Sequence, residues 1–302
     1  MTPEPCARIG IDIGGTSTEA LMLNDRGSIE AEVQLDTEPG IEAVLDTVER
    51  AVAILSERSG RSLSDFVSLG IGIPGQVDHE RGIVRHAYNI GVDELALASA
   101  VQGRIGIPVS LDNDVTAAAI GAAQLMQLDG SVAYLNLGTG IAAGFVIDGQ
   151  PMRGAHGVTG EIGHLAIDPR GRACPCGQRG CLETVASGSA LRSFWRADAN
   201  GRLLMSELAA GDPGAEDAFE ALVTGAATAV RLLVLTLDPH TVVIGGGLRM
   251  LGAPLLDGIR DTLDAWAAAS PFLANLNMSA RILPLPANSP AAAVGAALSY
   301  RG

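Results

Sequence analysis

The sequence predicts an α/β protein built from two related halves. Three observations carry that reading. Residues 7–24 and 132–149 share one theme, an apolar strand, a glycine–threonine turn and a second strand. Segments with apolar residues at helical spacing alternate with short apolar runs. The chain has 302 residues, 47% of them apolar, enough for two hydrophobic cores.

Taken in order, residues 7–13 (ARIGIDI) form a buried strand, Gly14, Gly15 and Thr16 turn the chain, and residues 18–24 form a second strand. Asp25-Arg26-Gly27 supplies a turn into a third. A dinucleotide-binding opening would place a helix after the glycines, and this one does not. Residues 40–58 are helical, with Ile41, Val44, Leu45, Val48 and Val52 on one face. A strand at 66–73 ends in Pro74-Gly75, followed by a loop, a helix around 93–103, a strand at 107–111 and a helix from about 115. Residues 132–149 repeat the opening, with Asn136 where Asp12 stood, which indicates an internal duplication. The segment 201–236 is expected to be helical throughout, 240–244 to be a buried strand leading into Gly245, Gly246 and Gly247, and 291–300 to be a helix of small residues.

Composition excludes several functions. A net charge of −14 disfavours binding to nucleic-acid phosphates. All 20 cationic residues are arginine. Without lysine there is no P-loop lysine, no pyridoxal-phosphate Schiff base and no protein-kinase strand lysine. Phosphates must then be held by backbone N–H groups, metal ions or arginine. No apolar run long enough to cross a bilayer and no signal-peptide pattern are expected, so the chain is expected to be cytoplasmic, without a membrane partner. Cys6 is the odd cysteine, and the other three suit a metal in a reducing compartment.

Those three stand in EIGHLAIDPRGRACPCGQRGCLE, residues 161–183. His164, Cys174, Cys176 and Cys181 form a one-imidazole, three-thiolate set suited to a closed tetrahedral zinc site. Glu161 and Glu183 bracket it, so a metal-pinned loop would hold two acids for a polar small molecule. Three glycine turns each follow an apolar strand: DIGGT at 12–16, LGTG at 137–140 and IGGGL at 244–248. Such turns let the backbone approach a polyanion and aim N–H groups at it. Asp12 beside them either caps a turn or orients hydrated magnesium. In LDNDVTAAA, Asp112, Asn113 and Asp114 are either helix caps or functional groups at the carboxyl end of a strand parallel to the first. There Asp114 can act as general base toward an alcohol, and Asn113 can donate to a substrate oxygen.

DIGGT, GIGIPG, LDND, LGTG, GEIGH, CPCGQRGCLE and VIGGGL, in this order along essentially the whole chain, resemble the family known as repressor, open reading frame, kinase (ROK). The resemblance implies an actin-like, ribonuclease-H-like two-lobed ATPase fold with duplicated α/β halves and a cleft between them. It places one lobe at 1–115, joined by a C-terminal helix at 290–302, and the other at 116–289. It implies phosphorylation of a hexose or N-acetylhexosamine with ATP and magnesium, and a structural zinc ion on His164, Cys174, Cys176 and Cys181. Asp114 would be the catalytic base; Gly75, Asn113, Glu161, His164 and Glu183 would bind the sugar, with Asn89 nearby. Asp12, Gly14, Gly15, Thr16, Gly138, Thr139 and Gly140 would serve the phosphates and their metal, and Gly245, Gly246 and Gly247 would face adenosine. A homodimer is implied as well. Departures exist: Ser17 stands where lysine is common, Thr116 replaces an asparagine and Ala122 a glutamate. Polyphosphate-using relatives tend to lack the zinc cluster, which favours ATP. The motif spellings look closest to N-acetylglucosamine kinases, with glucose and N-acetylmannosamine as alternatives. Family repressors carry a helix-turn-helix ahead of the sugar lobes; the few residues before the first strand leave no room for one, so a kinase is expected over a repressor or a non-catalytic sugar sensor.

Overall fold

The computed structural model describes residues 7–300, so Cys6 lies outside the described residues. The elements begin with β1 (Ala7–Ile13), β2 (Ser17–Leu23), β3 (Ile29–Asp36), α1 (Ile41–Ser59), β4 (Phe66–Ile73), β5 (Gln76–Asp78), β6 (Ile83–Ala87), β7 (Val92–Leu95), α2 (Leu97–Ile105), β8 (Val109–Asn113) and α3 (Asp114–Leu125). They continue with β9 (Ser131–Leu137), β10 (Ile141–Ile147), β11 (Gln150–Pro151), α4 (Gly188–Phe194), α5 (Gly201–Ala209), α6 (Pro213–Leu237), β12 (Thr241–Gly245), α7 (Ala253–Ala268), α8 (Pro271–Ala274), β13 (Ile282–Pro284) and α9 (Ala291–Ser299). The chain divides into two compact units, Met1–Leu128 with Gly144–Thr159 and Ser289–Gly302, and Asp129–Ala143 with Gly160–Asn288. The sequence-drawn line between 115 and 116 falls at the start of α3, which in the structure lies with α9 in the first unit.

In the first unit the sheet order is β3-β2-β1-β4-β8. β1, β4 and β8 run parallel, and β2 and β3 are antiparallel additions. β1 and β4 are covered on both faces, which is why each reads as a nearly unbroken apolar run. Val48, Val52 and Leu55 of α1 share one core with Ile9, Ile11, Leu69 and Ile71. On the other face α9 lies almost on the sheet backbone. A Cβ on Gly10 would sit 1.9 Å from the Ala293 carbonyl oxygen, and one on Gly70 would sit 1.7 Å from that of Ala296. The small residues of α9 and the glycines beneath it are thus one packing solution, in which any side chain would push the layers apart.

Two expectations change here. The stretch after Pro74-Gly75 is not a loop, since β5, β6 and β7 form a separate antiparallel sheet there, and the expected helix, α2, begins only at Leu97. Val77, Val84 and Val92 bury one side of it while the alternate residues stay open.

The second sheet has the order β11-β10-β9-β12-β13. β9, β12 and β13 run parallel, so the strand roles of the first sheet recur. The duplication extends to single positions: Asp12 pairs with Gly72 across β1 and β4, and Asn136 pairs with Gly245 across β9 and β12. The helical segment 201–236 is broken. Gly211 at φ 75° ends α5, and Asp212 caps α6 by accepting from the Ala215 N–H, with Pro213 in the first turn. Contrary to the sequence reading, one helix among the described residues is apolar and long enough to cross a membrane, the 25-residue α6. Within the second unit it packs against α5 and α7, and its Leu222, Val230 and Leu233 are fully buried.

Candidate active site

In the first unit the carboxyl ends of β1, β4 and β8 bring together Asp12, Gly72, Asn113 and Asp114. A Cβ on Gly72 would lie 3.6 Å from Asp12 Oδ1 and 3.7 Å from Asp114 Cα, so the two acids flank that glycine. Burial, then Asp114, then Glu19 across the hairpin raise the Asp12 carboxyl from 3.8 to about 8. Carboxylate oxygens crowded this way suit a hard, hydrated cation such as magnesium. The turn after β1 closes with the Gly14 N–H donating to the Ser17 carbonyl at 2.9 Å, leaving Gly15 and Thr16 exposed. Asn89 lies against this turn, its Nδ2 3.3 Å from where a Gly15 side chain would begin.

β8 ends at Asn113, and Asp114 is the first residue of α3. Asn113 is the cap: its side-chain oxygen accepts from the Val115 and Thr116 N–H groups, and its Nδ2 donates to the Gly75 carbonyl at 3.2 Å. Gly75, at φ 100° and packed against the Arg85 carbonyl, is thereby tied to the same junction. Asp114 Oδ1 accepts from the Val115 N–H at 3.0 Å.

Asp112 is not a cap. It is 1% exposed and held by Arg153, whose Nε and Nη2 donate to its two oxygens at 2.6 and 2.8 Å. His79 Nδ1 lies 3.5 Å from Asp112 Oδ1. Sequence reasoning missed Arg153 and His79, because both sit in stretches without periodicity and the Arg153 contact spans 41 positions.

In the second unit the other two glycine turns meet. Gly246, at φ 78°, leaves no room for a side chain: a Cβ would lie 2.4 Å from the Leu137 carbonyl and 2.7 Å from Asn136 Oδ1. The 137–140 turn is tied to α4, with Gly188 and Ser189 N–H groups donating to the Gly138 and Thr139 carbonyls. Arg192 of α4 lies beside the start of its own helix and forms no ion pair among the described residues; a Gly188 side chain would begin 3.7 Å from its Nη1 and 3.7 Å from Thr139 Cα. Glu183 touches this turn too, its Oε2 accepting from the Ile141 N–H at 3.2 Å. Gly140 has no space for a Cβ beside that carboxylate, at 2.5 Å. The exposed Glu161 is raised above the ordinary carboxylate range by desolvation from the protein around it; His164 opposes this and Glu183 adds to it.

His164, Cys174, Cys176 and Cys181 offer ligand atoms that all lie within 4.8 Å of one another. Cys174 Sγ is 3.9 Å from His164 Nδ1, and Cys176 Sγ is 3.7 Å from Cys181 Sγ. A tetrahedral zinc ion with sulfur ligands at ~2.3 Å requires edges of ~3.8 Å, so the set fits that ion. Hydrogen bonds from Gln178 draw Cys176 down to about 6, while burial and its neighbouring thiols push Cys181 up to about 12. Gln178 braces the loop by donating to the His164 carbonyl and to Cys176 Sγ. The Cys174–Gln178 backbone bond closes the tight turn between the ligands.

The sequence pattern of the ROK family matches residues 8–301. A glucokinase of Halalkalibacterium halodurans is 32% identical over 284 residues, covering 86% of each chain. An N-acetylmannosamine kinase of Vibrio cholerae is 32% identical over 246 residues, 80% of this chain and 83% of its own. The crystal structure of a ROK family glucokinase from Streptomyces griseus, in complex with glucose and AMPPNP, superposes with a TM-score of 0.80 at 31% identity, covering 96% of this chain and 98% of that one. With its repeated strand order and paired glycine turns, this chain has the actin-like ATPase fold and belongs to the ROK family.

Proposed function

We propose that this protein is an ATP-dependent sugar kinase that phosphorylates the 6-hydroxyl of a hexose or N-acetylhexosamine. The observation that carries the reading is Asp114, a carboxylate at the β8–α3 junction beside Asp12 and Gly72. In this reading Asp114 takes the proton from the sugar hydroxyl as that oxygen attacks the γ-phosphorus. The new oxygen–phosphorus bond forms as the bond to the ADP oxygen breaks. General-base assistance of this kind contributes about 10²–10⁴-fold. Gly75, Asn113, Glu161, His164 and Glu183 bind the sugar hydroxyls. The turns at 14–16 and 138–140 present N–H groups to the phosphates, with Arg192 as the cation near the second, and Gly245 to Gly247 face adenosine. Magnesium, oriented by Asp12, would offset the charge of the phosphates.

Zinc is structural in this account, since four protein ligands leave no open position. His164 offers Nδ1 to the thiol cluster, which leaves Nε2–H for a sugar oxygen. A metal held by these four residues would steady two sugar ligands, Glu161 ahead of His164 and Glu183 after Cys181.

The motif spellings favour N-acetylglucosamine, while the glucokinase relatives support glucose and the Vibrio protein supports N-acetylmannosamine. ADP release measured with these three sugars, as kcat/KM, tests the reading and ranks the substrates. Sugar-dependent ATP turnover is expected. Sugar binding without turnover would favour a sensor instead.

A further inference from the structure

Asp112 precedes Asn113 and Asp114 in the chain and is 1% exposed. A carboxylate buried that deeply needs a partner. Arg153 supplies two parallel hydrogen bonds, Nε to Oδ1 at 2.6 Å and Nη2 to Oδ2 at 2.8 Å, which fix the plane of the carboxylate as well as its position. His79 grips the same strand end from the β5 side. Its Nδ1 hydrogen is donated to the Leu111 carbonyl at 2.7 Å, and that nitrogen is 3.5 Å from Asp112 Oδ1. Leu111 and Asp112 are therefore clamped immediately before the residues assigned to chemistry.

We infer that Arg153, acting through Asp112 with His79 alongside, is a positioning residue for Asn113 and Asp114. The inference rests on the proposed role of Asp114. Asp114 Oδ1 already accepts from the Val115 N–H, and Asn113 already caps α3 and holds Gly75. Both side chains leave the main chain at this junction, so the peptide frame of residues 112–114 sets where each begins. The clamp sets that frame. A buried ion pair adds little net stability over a neutral replacement of similar shape, so fixed geometry is what this one contributes. A general base must stand within hydrogen-bond reach of its proton, and a displacement of ~1 Å can cost about a hundredfold in rate. Arg153 also opens the segment that leads to Glu161, and that segment is docked on β5 by the Gln76 side chain, which donates to the His156 carbonyl at 2.8 Å.

The test compares Arg153→Lys, Arg153→Gln and the double variant Asp112→Asn/Arg153→Gln. Arg153→Gln alone strands a buried charge and lowers the melting temperature. The double variant removes both charges and regains it, but lacks the two-pronged grip. Arg153→Lys keeps the charge and the fold and also lacks that grip. For the double and the lysine variants, kcat should fall about tenfold or more while KM for ATP stays within about twofold. Amide exchange at Val115 and Thr116, the groups Asn113 caps, should quicken about tenfold or more in both. Wild-type kcat and wild-type exchange in Arg153→Lys, or in a double variant that melts like the wild type, would make the pair purely structural and overturn the inference. Asp114→Asn is assayed in parallel. If it retains turnover, the base assignment fails, yet exchange at Val115 and Thr116 still decides whether Arg153 positions the junction.

Discussion

Replacing Asp12 by asparagine isolates the electrostatics at the end of β1. In the cation-free protein this carboxyl is raised from 3.8 to about 8, first by burial and then by Asp114 and Glu19. Between those pH values the unfolded chain has released a proton that the folded chain retains. Stability therefore falls as pH rises through this window and levels off above it. The gap corresponds to at most ~6 kcal/mol at ~1.4 kcal/mol per pH unit, and solvent screening of a partly open group reduces it to roughly 2–4 kcal/mol. Asparagine cannot ionise. Asp12→Asn should match the wild type near pH 4 and exceed its stability by roughly 2–4 kcal/mol near pH 8.5. The assay is denaturant unfolding in magnesium-free buffer without chelator, so that the thiolate centre stays intact. Added Mg-ATP should then stabilise the wild type more than the variant, because only the aspartate gains a cation partner. A stability difference that is the same at both pH values would refute the reasoning.

Other perturbations have equally definite outcomes. Stripping metal from the Cys174–Cys181 loop with a strong chelator should release about one zinc ion per chain and raise KM for the sugar about tenfold, with a smaller effect on ATP; elemental analysis and steady-state kinetics check this, and unchanged sugar affinity would separate the loop from the sugar site. Gly70→Ala forces a Cβ to within 1.7 Å of the Ala296 carbonyl oxygen and should cost about 3 kcal/mol or more in unfolding experiments. Gly103→Ala, in α2 with nothing within 4 Å of the added carbon, should instead gain about 0.5–1 kcal/mol.

Much of this architecture was legible in the sequence where physical signals are local. β1, β4 and β12 announce themselves because strands covered on both faces must be apolar throughout. The cluster of His164, Cys174, Cys176 and Cys181 is legible because three thiols and an imidazole within a short stretch have few uses other than holding a metal. The duplication was visible in the hairpins, and the register pairs Asp12–Gly72 and Asn136–Gly245 extend it to single residues. What stayed hidden depends on partners distant in sequence. β5 to β7 are too short and too exposed on one face to stand out from a loop. The break between α5 and α6 was signalled by Gly211, Asp212 and Pro213, but the apolar periodicity on either side masked it. Asp112 has the sequence context of a helix cap, and its partner Arg153 lies 41 positions away. The close seat of α9 on Gly10 and Gly70 can be read only once the sheet order is known.

The central claim is that the Asp114 carboxylate removes the proton from a sugar hydroxyl during phosphoryl transfer. Asp114→Asn keeps the size of the side chain and its acceptor oxygen while removing its basicity. Single-turnover phosphoryl transfer, measured at saturating sugar and Mg-ATP on protein shown to be folded and zinc-loaded, should fall by about 10²–10⁴-fold with sugar binding retained. A rate within about threefold of the wild type under those conditions would contradict the account.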